Sequence, residues 1–228
     1  MKTNIPLGQI SLDPTPEMLR WEENMKNWLL LEKPIYSKDL VDLNIKEKTS
    51  FFDITRLEDE NALMDDLKMY RFRERFISQF GFVILTQELI DKFKGHGPFV
   101  EIGAGSGALS KLLSINYMDV IATDLNEVSN YSFSTGMWFT IEHKSAIEAL
   151  EFYPNRTAIF AWPEMDSWAG EALLKALPAK VIYIGEHNGC TGDKLFHNTL
   201  EEYYDLIEEH RICNFPNIKD NLTIWVKK

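Results

Sequence analysis

Apolar and polar positions follow two different rhythms along the chain, and the change falls near residue 86. Upstream, Met18, Trp21, Met25, Trp28 and Leu29 recur at helical spacing. Thr15-Pro16-Glu17 supplies an N-cap, a proline at the first helical position and an acid in the first turn. Pro34 ends that element. A second helix is predicted from about Glu60 to Phe80, with Leu63, Leu67, Tyr70 and Ile77 on one stripe. A stripe of Met and Trp reads as core, or as a cover over a neighbouring domain; a cover beside a pocket also shapes it.

Downstream, short β-rich runs alternate with helical patterns. Strands are predicted at Phe99–Ile102, Asp119–Thr123, Trp138–Glu142, Thr157–Ala161, Lys180–Ile184, Arg211–Phe215 and Leu222–Val226. Helices are predicted around Leu89, Ile90 and Phe93 (capped by Thr86, stopped by Gly95 and Gly97), and at Ala108–Ile115, Ala146–Phe152, Ser167–Leu177 and Gly192–Glu209. Alternation of this kind predicts parallel pairing through right-handed crossovers. The last two strands have no helix between them and predict an antiparallel hairpin. The expected fold is α/β: a doubly wound, mostly parallel seven-stranded sheet with an antiparallel C-terminal hairpin. Residues 1–85 form a helical N-terminal extension and 86–228 the Rossmann-like domain.

Composition narrows the class. At 228 residues and 45% hydrophobic, the chain can bury one good core and a modest second element. No run approaches the roughly 18–20 apolar residues of a bilayer span, and MKTNIPLGQISLDPTPE lacks the apolar centre of a signal peptide. The expectation is a soluble, cytoplasmic protein without membrane contact. Lys and Arg number 24 against 35 Asp and Glu, a net charge of −11. That argues against broad nucleic-acid backbone binding, while leaving room for a local patch. MYRFRER, Met69 to Arg75, has three arginines among aromatics and reads as a solvated helix face. The two cysteines, Cys190 and Cys213, and the histidines at 96, 143, 187, 197 and 210 lack metal-ligand spacing, so no metal is expected.

The chemistry concentrates in FVEIGAGSGALS, Phe99 to Ser110. In a doubly wound sheet, ligands sit outside the carboxyl ends of the strands at the switch point. Gly103, Gly105 and Gly107 let the chain turn sharply and a ligand approach the backbone, where the next helix begins with free N–H groups. Glu101 lies inside an otherwise apolar strand and needs a partner there, such as a cationic ligand group. In DVIATDLN, Asp124 ends the second strand, where a carboxylate can accept from both hydroxyls of a ribose. Gly103, Gly105 and Ala108 also satisfy the dinucleotide fingerprint, so a nicotinamide cofactor competes. Gly107 opens the loop further than that pattern needs, and Glu101 would repel a pyrophosphate.

With FVEIGAGSG and VIATDLN as first and second motifs, the sequence resembles the class I S-adenosylmethionine-dependent methyltransferases. TAIFAWPEM, Thr157 to Met165, takes the place of the fourth motif, beside the transferred methyl. The resemblance covers roughly residues 86–228. RFRERFISQFGFVILTQELIDKFKGHGPFVEIGAGSG and VIYIGEHNGCTGDKLF further resemble a poorly characterised bacterial and fungal group of such proteins. The resemblance implies that Glu101 faces the methionine amino group and that Gly103, Ala104 and Gly105 line the methionine and ribose. It implies further that Asp124 holds the ribose, Leu125 packs on the adenine, and Ser145 and Ala146 meet the adenine edge. Short polar residues after a strand are also common helix caps. Many family members that methylate amines carry Asn/Asp-Pro-Pro-Tyr/Phe in the fourth motif. Here Ala161-Trp162-Pro163-Glu164 stands instead, which puts adenine or glutamine N-methylation in doubt. Trp162, with Pro163 beside it, could stack on a planar substrate, contact the sulfonium by cation–π attraction, or simply pack.

Methyl transfer needs mainly alignment and desolvation, with a base only if the nucleophile must lose a proton early. Candidate bases are Glu164, Glu186 and His187. The polar loop GEHNGCTGD, Gly185 to Asp193, could shape the substrate site or serve as a connection in which Thr191 caps the next helix. Cys190 has no identifiable base beside it and is set aside as a nucleophile. The reading is therefore a methyltransferase acting on a small molecule or a defined macromolecular site. Its alternatives are a cofactor-binding regulatory or interaction protein without catalysis, and an NAD-dependent oxidoreductase.

Overall fold

A computed structural model describes residues 12–43, 60–125, 138–166 and 168–228. The N-terminal residues 1–11, Ser167 and the side chain of Leu63, on which parts of the sequence reading fall, lie outside the described residues. The chain runs α1 (Pro16–Leu31), a 3₁₀ turn (Ser37–Leu43), α2 (Glu60–Phe80), α3 (Gln87–Asp91), β1 (Phe99–Ile102), α4 (Ala108–Ile115), β2 (Val120–Asp124) and β3 (Ile141–His143). It continues through α5 (Ala146–Phe152), β4 (Thr157–Ala161), α6 (Trp168–Ala176), β5 (Lys180–Gly185), α7 (Lys194–Tyr203), β6 (Tyr204–Arg211) and β7 (Asn221–Lys227).

The strands form one sheet in the order β3-β2-β1-β4-β5-β7-β6. β1 lies between β2 and β4, both parallel to it. The order reverses at β1, which makes the gap beyond its carboxyl end the switch point. β7 pairs antiparallel with both β5 and β6, placing Asn221 opposite Gly185. Side chains alternate between two buried layers. Phe99, Ile159, Ile182 and Ile224 face one cluster, shared with α1, α2, α3 and α4. Val100, Ile102, Phe160, Tyr183 and Trp225 face the other, shared with α5, α6 and α7.

Thr15 caps α1, its hydroxyl accepting from the Met18 amide at 3.3 Å, and the helix stops at Glu32 in the left-handed region, just before Pro34. The predicted stripe of α1 is buried throughout. That of α2 is corrected: Tyr70 is 49% exposed, and the buried line is Phe72, Phe76, Ile77 and Phe80. Aromatic pairing decides it, since Trp21 stacks on Phe76 with centroids 4.7 Å apart and planes 13° apart. The solvated reading of MYRFRER also fails in part. Arg75 grips the buried Glu22 through Nε at 2.5 Å and Nη2 at 3.0 Å, and the Arg73 guanidinium lies over the rings of Trp162 and Phe215.

A second correction concerns the C-terminal part. The helix predicted over Gly192–Glu209 ends at Tyr203, and Tyr204–Arg211 is β6, whereas no strand forms beyond it at Ile212–Phe215. Pairing with β7 across seven register positions overrides the helical preference of a Glu- and Leu-rich run. Asp193, rather than Thr191, caps α7 by accepting from the Phe196 amide at 2.8 Å.

Candidate functional site

The turn after β1 is built from left-handed backbone. Gly103, Gly105 and Gly107 have φ of +68°, +55° and +74°, a conformation that strains other residues. Space is restricted as well: a Cβ on Gly103 would come within 3.1 Å of Cη2 of Trp168, and one on Gly107 within 3.0 Å of Phe139 Cβ. The turn is tied to β2, with the Ala104 amide donating to the Thr123 carbonyl at 3.0 Å. The Gly105 amide donates to Oδ2 of Asp124 at 2.8 Å. The carboxylate that ends β2 therefore already faces the glycine turn.

Glu101 is 3% exposed and takes a 2.5 Å hydrogen bond on Oε2 from the Ser110 hydroxyl of α4. Its partner within the chain is thus a neutral donor, whose only sign in the sequence is that Ser110 lies in the helix following the turn. Burial pushes the Glu101 carboxyl up to about 7; Ser110 opposes this and Asp124 adds to it. The ionised form is short of positive charge, a deficit that an ammonium group would relieve.

The remaining expected residues divide into two groups. Leu125 is exposed beside Asp124, and Ala104 and Pro163 are buried. Ser145 is engaged in a capping box: its hydroxyl accepts from the Glu148 amide and its amide donates to the Glu148 carboxylate at 2.8 Å. Ala146 opens α5 and is half-buried. Trp162 has φ of +57°, stacks on Phe82 at 4.3 Å and donates from Nε1 to Oδ2 of Asp220 at 2.8 Å. A groove of about 510 Å³ lined by His143, Lys144, Glu148, Glu151 and Phe152 lies beside α5 and does not include the turn.

Of the three candidate bases, Glu164 is exposed, and burial with the nearby charges of Asp166 and Asp124 raises its carboxyl. Oε2 of Glu186 accepts from the Cys190 thiol at 3.3 Å. Burial, then Glu186, pushes that thiol up to about 11, so Cys190 is held protonated. His187 turns toward α7, with Nε2 on Glu201 at 3.0 Å and Nδ1 on Nδ1 of His197 at 3.1 Å. Sequence reasoning missed Trp168, Ser110, Arg73 and Asp220 as neighbours of the strand ends, although Ser110 closes the marked stretch FVEIGAGSGALS and Arg73 lies in MYRFRER. No helix is long and apolar enough to cross a membrane among the described residues, and none of them forms a group of three or more metal-ligating side chains.

No family profile and no curated sequence matches the chain. Among solved structures it is similar to TrmN from Thermus thermophilus, at 17% identity over 69% of this chain and 53% of that one, with a TM-score of 0.47. It is similar to the PH0226 protein from Pyrococcus horikoshii OT3, at 15% identity over 70% and 91%, with a TM-score of 0.43. The 1,6-didemethyltoxoflavin-N1-methyltransferase from Burkholderia thailandensis is 12% identical over 76% and 87%, with a TM-score of 0.42. The chain spans about half the length of TrmN. What fixes the architecture is the chain's own sheet: five parallel strands reversing at β1, closed by β7 antiparallel between β5 and β6. With that strand order and helices on both faces, the chain has a Rossmann-like α/β fold, doubly wound about β1.

Proposed function

We propose that the chain is an S-adenosylmethionine-dependent methyltransferase, with the cofactor at the turn after β1. The observation that carries this reading is Asp124 at the end of β2, aimed at the left-handed Gly103–Gly105 turn and 2.8 Å from its amide. The residues present fit the group. The turn offers backbone without side chains, Asp124 suits a ribose diol, and Glu101 is a buried carboxylate short of positive charge. Leu125 and Ala146 offer apolar surface for an adenine. Ser145 would contribute its position more than its hydroxyl, since Glu148 uses that group.

When bound, the cofactor supplies a methyl group already activated by a sulfonium. The chain has then to orient the acceptor and exclude water. Trp162 and Pro163 wall the end of β4, and Glu186 stands at the end of β5. Glu164, its carboxyl raised by burial and by the charges of Asp166 and Asp124, follows Pro163 at the end of β4 and is the candidate base nearest the proposed methyl position. His187 uses both ring nitrogens toward α7, which suits a loop anchor. The acceptor, in this reading, is a small molecule or a defined macromolecular site.

One observation favours a second reading. Ala161 or Trp162 takes the place of a hydrogen-bonding side chain in the fourth motif, and Trp162 is pinned by Phe82 and Asp220. A binding protein without catalysis would tolerate that. Calorimetric titration with S-adenosylhomocysteine and with NAD, followed by a search for turnover, separates the alternatives. The expected result is a response to S-adenosylhomocysteine alone. Tight NAD binding without it would overturn the proposal.

A further inference from the structure

A row of hydrogen bonds ties the loop Gly185–Asp193 to α7. Nε2 of His197, a residue 3% exposed, lies 2.8 Å from the Thr191 carbonyl. A carbonyl only accepts, so this nitrogen carries a proton. Nδ1 of His197 lies 3.1 Å from Nδ1 of His187, and one of those two nitrogens must donate. Nε2 of His187 lies 3.0 Å from Oε1 of Glu201, which also accepts from Nδ2 of Asn188 at 3.2 Å. Hydrogen bonds from Asn188 and then His187 hold the Glu201 carboxyl below its ordinary value, so it is ionised and only accepts. Each of the three histidine contacts therefore needs an N–H, whereas two neutral imidazoles bring one each. The row closes only with one further proton, and yet another would set N–H against N–H between the rings. The charge falls to His187, which faces the carboxylate. Burial draws the His197 ring toward its neutral form, against the pull of the Thr191 carbonyl.

We propose that His187 and His197 form a proton-dependent latch, which holds the loop against α7 while the extra proton is bound and frees it when that proton leaves. Without the proton, a bare Nε2 of His187 faces the Glu201 carboxylate and that contact opens. The closed arrangement binds the proton, so low pH favours it and rising pH releases it. Other groups around His187 are few. Its own loop carries Glu186, Cys190 and Asp193. β5 presents Tyr183 and β7 presents Trp225, with ring centroids 6.4 and 5.6 Å away. Beyond β7, Lys228 donates from Nζ to the Glu201 carbonyl at 2.9 Å. The loop in turn holds the ends of β4 and β5. The Gly192 amide donates to the Pro163 carbonyl at 2.8 Å, and the Glu186 amide donates to the Thr191 hydroxyl at 2.9 Å. Release therefore changes the acceptor side of the proposed methyl site. That consequence rests on the methyltransferase reading; the latch does not.

The test is an NMR titration of the ¹⁵N-labelled histidine rings of the full chain between about pH 5.5 and 8, where histidines change charge. Hydrogen exchange of the Glu186 and Gly192 amides is followed alongside. His187 is expected to carry both ring protons at the acid end and to lose one as pH rises, while His197 keeps Nε2–H alone. Protection of the two amides, corrected for the intrinsic pH dependence of exchange, should fall roughly fivefold or more as His187 titrates. In Glu201→Gln the carboxamide can turn either its oxygen or its NH₂ to His187, with Asn188 turning to match. The row then closes without the extra proton, and the fall in protection should shrink below about twofold. A neutral His187 at the acid end overturns the proposal. So does protection that stays constant while His187 titrates, or an undiminished fall in Glu201→Gln. If that variant fails to fold, the ring titration and exchange of the parent chain decide. A parallel titration with S-adenosylhomocysteine separates the two readings. Cofactor binding without the pH-linked release sinks the latch alone, and the release without cofactor binding sinks the methyltransferase reading alone.

Discussion

At the residue scale, two carboxylates carry the proposed cofactor site in opposite ways. Asp124 is satisfied by an amide of the turn it faces. Asp124→Ala is expected to weaken S-adenosylhomocysteine binding by about 1–3 kcal/mol, as for lost hydrogen bonds to a charged group. Calorimetry on the folded variant checks this, and unchanged affinity would remove Asp124 from the site. Glu101 is the costly one. Its carboxyl stands near 7 in the folded chain against 4.5 ordinarily. Between those values the folded chain holds a proton that the unfolded chain releases. The stabilisation is therefore complete below about pH 4.5 and is lost as pH rises through 7. By pH 8 the loss is on the order of 3 kcal/mol. Glu101→Gln should melt higher than the parent chain at pH 8, match it near pH 4, and bind S-adenosylmethionine less well. A variant that melts lower at pH 8 would show that Glu101 stabilises the fold as an anion. These two acids were legible in the sequence because a strand position and a strand end assign them a face and a height. Ser110 was not, because a serine one turn into a helix looks the same whether it bonds a carboxylate or a carbonyl. Arg73 and Asp220 come from elements 147 positions apart, and nothing local announces their meeting.

At the scale of elements, α1 and α2 are joined by an ion cluster as well as by rings. Burial alone would raise the Glu22 carboxyl, but hydrogen bonds from Arg75 and Lys26 hold it down to about 2. Its contribution is present above pH 4.5 and lost as pH falls toward 2. With Arg75 half-exposed, it amounts to about 1–2 kcal/mol. Thermal melts of Glu22→Gln between pH 2.5 and 6 should converge on the parent chain at the acid end; a constant gap would contradict the assignment. The helices themselves were legible from their caps and period. The choice among faces of α2 was not, because Tyr70 and Phe72 are both aromatic and only the position of Trp21 distinguishes them. Likewise TLEEYYDLIEEH carries a helical composition, and its switch to strand after Tyr203 depends on β7, which lies later in the chain.

At the scale of the whole molecule, the aromatic residues of α1 and α2 belong to the same buried cluster as Phe99, Ile159 and Ile182 of the sheet. Near-ultraviolet dichroism, to which Trp21 and Trp28 contribute alongside Trp138, Trp162, Trp168 and Trp225, should therefore melt in one step together with the far-ultraviolet signal. An earlier near-ultraviolet transition would show that the N-terminal helices unfold separately. The outer rim of the sheet has a consequence of its own. β6 is bound on one side by β7, and its register slips between Leu206 and Glu208. It displays Asp205 and Glu209 beside the exposed Leu206 and Ile207. An incoming extended segment would meet a kinked ladder and a line of negative charge, on a chain already at −11. Apolar side chains can stand open to water there without inviting another copy to lengthen the sheet.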